Sequence, residues 1–540
     1  MAAPGPSRPS APQEAQSHSV AGAAGSVSAA TMISRVLAMF REMVMSAYFG
    51  AGLFTDAFNI AYRIPNLLRD LFAEGALSSA FIPTFIRTLS HGDREKAWLL
   101  ANRVINALIV VLGGFTLLIY FGAKWFVYLL AAGFANIPQK IELTVQMTRI
   151  LSPFLLCVAI ASVVMGMLNA FGRFFVPAMA PSAFNVCCIL AGIFLSPFMP
   201  RFGLEPIVSM AIGALVGGAS QFLVQIPAAY RLGYRYHFTL DFGDPGLRHI
   251  AKLMLPAVIG LSATQINITV DSQLAGLYGN GPISWLGYAF RLMQLPIGLF
   301  GVAIATATLA TVSRHAAHDN MEKLQLTVTS SLRLAACLTF PSTAGLILFR
   351  EEIIRLLYQR GHFLAGDTQQ TGRVLFLYAT ALFAYSAIKI LVPTFYALDD
   401  TRTPVRTSMI TVAIKVAINF LLILPLGFLG LPLATAIASW LNLILLLRSF
   451  RKRMGLKWSW RGLDPYLRIA CASAVMGLVS WISFRLLAGL WSGTTWSLAV
   501  TLLAAIFVGI GSFVPLLRAF RVEEINLLTA ALRRRLGYPA

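Results

Sequence analysis

Arg35, Arg41, Glu42, Arg63, Arg69, Asp70 and Glu74 stand in two apolar runs near the start of the chain, and Arg291 stands deep in a later one. A charge at the middle of a bilayer costs about 2.5–3.5 kcal/mol on insertion scales, so this concentration calls for a function or for compensation. Guanidinium suits phosphate, because its planar fork makes paired hydrogen bonds to phosphate oxygens and never loses its charge. Five arginines against three carboxylates leave the set cationic. That balance matches a water-filled cavity that binds a phosphate-bearing head group and can also release it. The competing reading is structural, with long side chains reaching the interface and the others pairing internally. Arg63 and Arg291 fit that reading least, since both lie deep in their runs and match across an internal repeat. Arg63 and Arg69 are six positions apart, about 240° on a regular helix, and share a face only if the helix is distorted. Pro65 lies between them and Gly75 follows, so this helix is expected to bend during transport.

A second candidate is Asp271, which interrupts an apolar run together with Gln265, Asn267, Thr269 and Ser272. A carboxylate among neutral oxygens suits a hard cation such as sodium, or a proton. It equally suits a carboxylate hydrogen-bonded to neighbouring helices. Lys389, deep in another run, is a weaker candidate of the same kind. Nothing resembles a catalytic constellation. The histidines sit mainly in the amino-terminal tail or near loops. The five cysteines, Cys157, Cys187, Cys188, Cys337 and Cys471, lie inside apolar segments without metal-ligand spacing. No phosphate-cradling Gly-Lys-Ser/Thr stretch is present, which argues against an enzyme or a nucleotide-driven pump.

The elements that must carry these residues are transmembrane helices. Hydrophobic residues make up 57% of the chain and charged ones 12%, against about 25% charged in soluble proteins. Apolar runs of about 20 residues recur along the length, each long enough to cross about 30 Å of hydrocarbon as a helix, whereas barrel strands would be about 10 residues and alternating. The fold class predicted is all-α: a polytopic membrane protein with about 14 spans, the first near 29–50 and the last near 495–518. Residues 1–26, rich in Ala, Pro, Ser, Gly and Gln, read as a disordered tail and not as a cleavable signal. The net charge of +21 is scattered among hydrophobic helices, so it speaks for membrane orientation and not for nucleic acid. Basic residues such as Arg87, Arg173, Arg231, Arg402, Arg451 and Arg533 fall on the side of the termini. The opposite loops hold fewer, chiefly Lys124, Lys140, Arg201, Arg350, Arg355 and Arg360. The positive-inside rule therefore places both termini in the cytoplasm.

Laid on itself at an offset of about 228 residues, the chain repeats. Ala61-Tyr62-Arg63-Ile64 falls on Ala289-Phe290-Arg291-Leu292, and Ala170 with Pro177 falls on Ala397 with Pro404. An offset of six spans keeps both copies entering from the same side, a parallel repeat about an axis along the membrane normal. The expected organisation is a cytoplasmic tail (1–26), an N-lobe of six spans (27–232), a C-lobe of six spans (246–450), two added spans (464–520) and a cytoplasmic tail (521–540).

Ser34-Arg35-Val36-Leu37, Phe49-Gly50-Ala51-Gly52, Thr55-Asp56-Ala57-Phe58, Pro65-Asn66-Leu67-Leu68-Arg69 and Phe72-Ala73-Glu74-Gly75-Ala76 closely resemble the amino-terminal signature of the MurJ (MviN) family. The resemblance continues through Tyr288-Ala289-Phe290-Arg291-Leu292-Met293, Pro393-Thr394-Phe395-Tyr396 and Thr403-Pro404. It implies a MOP-superfamily fold of two six-helix lobes, with the last two spans forming a groove for an undecaprenyl tail. The implied activity is flipping of lipid II, a peptidoglycan precursor, across the bacterial inner membrane. Cavity arginines then fall on Arg35, Arg41, Arg69 and Arg291, with acidic positions at Asp56 and Glu74. Sodium or membrane-potential coupling is implied, with Asp271 resembling an ion-site aspartate of some members. Expected partners are lipid II, membrane lipids, and cell-wall synthesis and division proteins. The chain departs from the family pattern at Arg63, where many members have lysine. It departs again at Asp70, where a second basic residue often stands, and at Phe290, where an acidic one often stands. Two rivals remain: another MOP-type carrier, either a polysaccharide-precursor flippase or a drug exporter, and a non-transporting cell-wall scaffold.

Overall fold

A computed structural model describes the backbone of residues 11–70, 77–90, 92–455, 462–489 and 494–522. Among the described residues every regular element is a helix, as a lipid-embedded backbone with no water to bond requires of long apolar runs. The chain forms two compact units, the first comprising 1–49 and 53–266 and the second 50–52 and 267–540.

In the first unit the helices are α1 (Ala11–Phe49), α2 (Leu53–Arg69), α3 (Ser78–Ser90), α4 (Arg94–Ala131), α5 (Pro138–Leu151), α6 (Phe154–Ala170), α7 (Phe175–Leu190), α8 (Val208–Leu223) and α9 (Ile226–Arg231). Helix α10 (Pro245–Gly276) carries the chain onward. The second unit holds α11 (Pro282–Pro296), α12 (Val302–Ala317), α13 (Met321–Leu348), α14 (Arg350–Tyr358), α15 (Ala365–Ala379), α16 (Leu382–Ala397), α17 (Arg402–Leu426), α18 (Gly430–Arg453), α19 (Asp464–Ala488) and α20 (Thr495–Ala519).

Among the described residues nine helical stretches are long and apolar enough to span a bilayer, or ten if the bent pair α15 and α16 is one span. The expected count of about 14 came from apolar runs. The figures differ partly because α17 and α18 join into one stretch of 52 residues, although a left-handed Gly427 (φ 59°) divides it. In addition, α2 has only 17 residues. The stretch 11–26, expected to be disordered, is helical from Ala11; its alanines, glutamate and glutamines favour helix. Residues 1–10 and most of the tail 521–540 lie outside the described residues.

The first unit packs around two large apolar clusters and a smaller one at Leu112, Leu155 and Ala159. One large cluster joins Met45, Phe58, Met147, Phe154 and Ala211, and the other joins Phe81, Phe85, Val104, Met167 and Ile250. The second of these explains why the units divide inside α10 and not in the loop 233–245: Leu247 and Ile250 are buried with Leu100 and Val104 of α4. In the second unit Val328, Leu391, Leu446, Ile469 and Leu517 share a core, so α19 and α20 are packed onto this unit. Small residues allow the approach. A Cβ on Gly477 would meet Leu348 at 2.8 Å, and one on Gly509 would meet the Ser480 hydroxyl at 2.0 Å.

The internal repeat reappears as turn geometry. Gly92 and Asp319, and likewise Gly172 and Asp399, adopt left-handed φ (81° and 53°, 72° and 56°). Arg173 N donates to Leu168 O and Asp400 N to Phe395 O, both at 2.9 Å, closing α6 and α16 in the same way. Asp93 caps α4 by accepting from Lys96 N, and Asn320 caps α13 by accepting from Lys323 N. Among non-glycine residues, asparagine and aspartate are enriched in these conformations, and they also offer a capping oxygen.

Candidate functional site

Arg35 and Arg41 are both carried by α1, whose face toward α7 is fixed by Asn185 Nδ2 donating to the Ser34 carbonyl at 3.3 Å. Arg41 lies on that face, with its guanidinium 5.4 Å from the Phe184 ring centroid and its Nη2 donating to Glu42 Oε1 at 2.7 Å. Glu42 is buried. Arg35 is exposed, as expected for a position about 240° round the same helix. Within this unit, then, one of these two guanidiniums is clasped and the other is presented outward.

Helix α2 stays helical through Pro65 as far as Arg69. Arg69 Nη2 and Nε donate to Asp70 Oδ1 at 2.8 and 3.3 Å, while Gln265 Nε2 donates to Asp70 Oδ2 at 3.3 Å. Asp70, the acidic departure from the family pattern, therefore holds the neighbouring arginine. Arg63 is half-buried. Glu74 and Gly75 lie outside the described residues, so the expected acidic position and the expected bend there are not located.

Asp56 was expected to touch substrate. It is instead sealed: Lys140 Nζ donates to Asp56 Oδ2 at 2.9 Å and both side chains have no exposed surface. Lys140, expected in an outer loop, belongs to α5 and also lies 4.1 Å from the Phe134 ring centroid. Two full charges leave water together only when each supplies the other's counter-ion and hydrogen bond. Asp56 therefore braces α2 against α5, and in this structure no surface of it is open to a substrate.

In the second unit Arg291 is exposed on α11, and Lys389 is exposed on α16. The hydrogen-bond partners of the Asp271 carboxylate are two nitrogens. Lys415 Nζ donates to its Oδ2 at 2.6 Å, and Asn419 Nδ2 donates to its Oδ1 at 2.8 Å. The residues present do not fit a bound sodium ion, because the carboxylate's charge is already met by an ammonium in hydrogen-bond contact. Among the described residues no group of three or more His, Cys, Asp or Glu side chains is placed to hold a metal. Lys415 was missed in the sequence, yet a signal was present. Thr407, Thr411, Lys415 and Asn419 recur at four-residue spacing and all are buried along one face of α17. Such a stripe faces a partner helix.

The family model described as "Lipid II flippase MurJ" matches residues 45–503. A Vibrio cholerae protein named "Probable lipid II flippase MurJ" is 35% identical over 93% of this chain and 97% of its own length. A Burkholderia cenocepacia protein named "Lipid II flippase MurJ" is 32% identical over 85% of this chain and 89% of its own. Among solved structures, "Lipid II flippase MurJ, inward closed conformation" is similar with a TM-score of 0.76 and 28% identity, covering 91% of this chain and 99% of that one. An inward-facing MATE multidrug transporter of the MOP superfamily is similar in fold, with a TM-score of 0.61 and 15% identity over 77% of this chain and 98% of that one.

Proposed function

The chain belongs to the lipid II flippase MurJ family, and on that premise we propose that it carries lipid II from the cytoplasmic to the periplasmic leaflet by alternating access. The observation that carries this reading is the family match across residues 45–503. The arginines of α1, α2 and α11 supply the chemistry. Arg35, Arg41, Arg63 and Arg69 of the first unit are the residues proposed to contact the diphosphate, with Glu74 as the acidic member that the resemblance supplies, and Arg291 of the second unit is the further substrate arginine that the resemblance implies. Glu42 and Asp70, already paired with Arg41 and Arg69, compete with the diphosphate for the same guanidiniums. Competition of this kind keeps binding reversible, since a phosphate oxygen replaces one carboxylate contact with another of similar strength.

Helices α19 and α20 hold the undecaprenyl tail, which stays in lipid throughout. Both termini lie in the cytoplasm. A membrane potential negative inside favours outward movement of an anion by about 2.3 kcal/mol per charge per 100 mV, which drives the step without nucleotide. A cationic site of this type disfavours the cationic substrates of a drug exporter.

The test is depletion of the protein in cells, followed by measuring how much lipid II a reagent outside the inner membrane can reach. Accessibility should fall. Equal accessibility with and without the protein would overturn the assignment. Removing the charges at Arg35, Arg69 and Arg291 separates a flippase from a scaffold, because a scaffold would support growth without them and a flippase would not.

A further inference from the structure

We propose that Lys415 is a tethered cation. Its ammonium occupies the place beside Asp271 that a sodium ion would need, so this chain binds no sodium there. Both carboxylate oxygens of Asp271 are engaged, Oδ2 by Lys415 and Oδ1 by Asn419. The Lys415 side chain is only 4% exposed, and a lysine so buried is stable as an ammonium only beside its counter-ion. Tyr385 of α16 is a further titratable group close enough to Asp271 to feel its charge.

The surroundings also say what would follow if the ammonium were removed. Asn419 is fully buried and its Oδ1 has no hydrogen-bond donor. Truncating Lys415 would leave the carboxylate oxygens of Asp271 beside a space vacated by a positive charge. Hard cations are held by such oxygens. The ion pair stands apart from the flippase reading. Its consequence, that transport by this chain is indifferent to sodium and driven by the potential, rests on that reading.

The experiment is thermal unfolding of the purified full chain in detergent, in equal concentrations of sodium, potassium or choline chloride. The wild type and Lys415→Arg should melt alike in all three salts. Lys415→Ala should melt lower in choline and rise by about 3 °C in sodium, and adding Asp271→Asn to it should abolish that rise. A wild type that melts higher in sodium than in potassium would overturn the proposal, as would a folded Lys415→Ala protein that ignores sodium. Should Lys415→Ala fail to fold, the wild type and Lys415→Arg still decide it. Melting reports no transport, so its failure leaves the flippase reading standing, and the reverse also holds.

Discussion

Asp56 shows how the same residue type changes meaning with its surroundings. Two carboxylates in adjacent helices, Glu42 and Asp56, are both buried, but Glu42 is joined to an arginine that keeps 21% of its side-chain surface exposed while Asp56 is closed in with Lys140. Removing one member of a buried pair strands the other charge, at a cost of about 3–5 kcal/mol, whereas replacing both with apolar residues of similar volume is often neutral. Asp56→Leu and Lys140→Met should therefore each lower the melting temperature sharply, and the double variant should recover most of the loss. Additive losses in the double variant would show that the two side chains do not act as a pair. The pairs at Arg41–Glu42 and Arg69–Asp70 differ because part of their surface stays exposed.

Among the elements, the segment after α9 shows how polar side chains fasten a chain that forms no helix. Asn106 of α4 is fully buried. It donates to the carbonyls of His237 and Thr239 at 3.2 and 2.9 Å and accepts from the Tyr236 hydroxyl at 2.7 Å. Arg103 adds ion pairs to Asp241 at 3.2 Å and to Asp244. Leaving those buried groups unsatisfied in Asn106→Ala should cost about 1–3 kcal/mol, read as a lower melting temperature and faster proteolysis within 233–245. The start of α17 gives a pH dependence. Asp400 accepts from Thr403 N and Thr403 Oγ and faces Arg453. The backbone hydrogen bond first, then the hydroxyl and the guanidinium, hold its carboxyl below the usual range. A carboxyl lowered in the folded state stabilises above its unfolded pKa of about 3.9, and the contribution disappears as pH falls through the folded value. The wild type should thus melt above Asp400→Asn at pH 7, with the gap closing only as the pH drops below about 4. A gap that persists at pH 2 would mean that charge is not its source.

For the whole molecule, transport driven by the potential predicts that dissipating it with a protonophore slows appearance of lipid II outside, while replacing sodium with potassium at constant potential does not. Sodium-dependent flipping in cells would refute the second half. Much of this plan was readable in the chain itself. Helical class, membrane residence and the repeat follow from local quantities: length of apolar run, and residue identity at a fixed offset. Even the equivalence of Asp319 with Gly92 rests on residue type, since few side chains tolerate left-handed backbone. Partnership was not readable. Lys140 lies 84 positions from Asp56 and Lys415 lies 144 from Asp271, and nothing in either segment alone states which buried charge meets which. Only packing of α5 on α2, and of α17 on α10, decides whether a carboxylate in the membrane is open to a ligand or already matched by a lysine, because a buried charge is defined by the charge it faces.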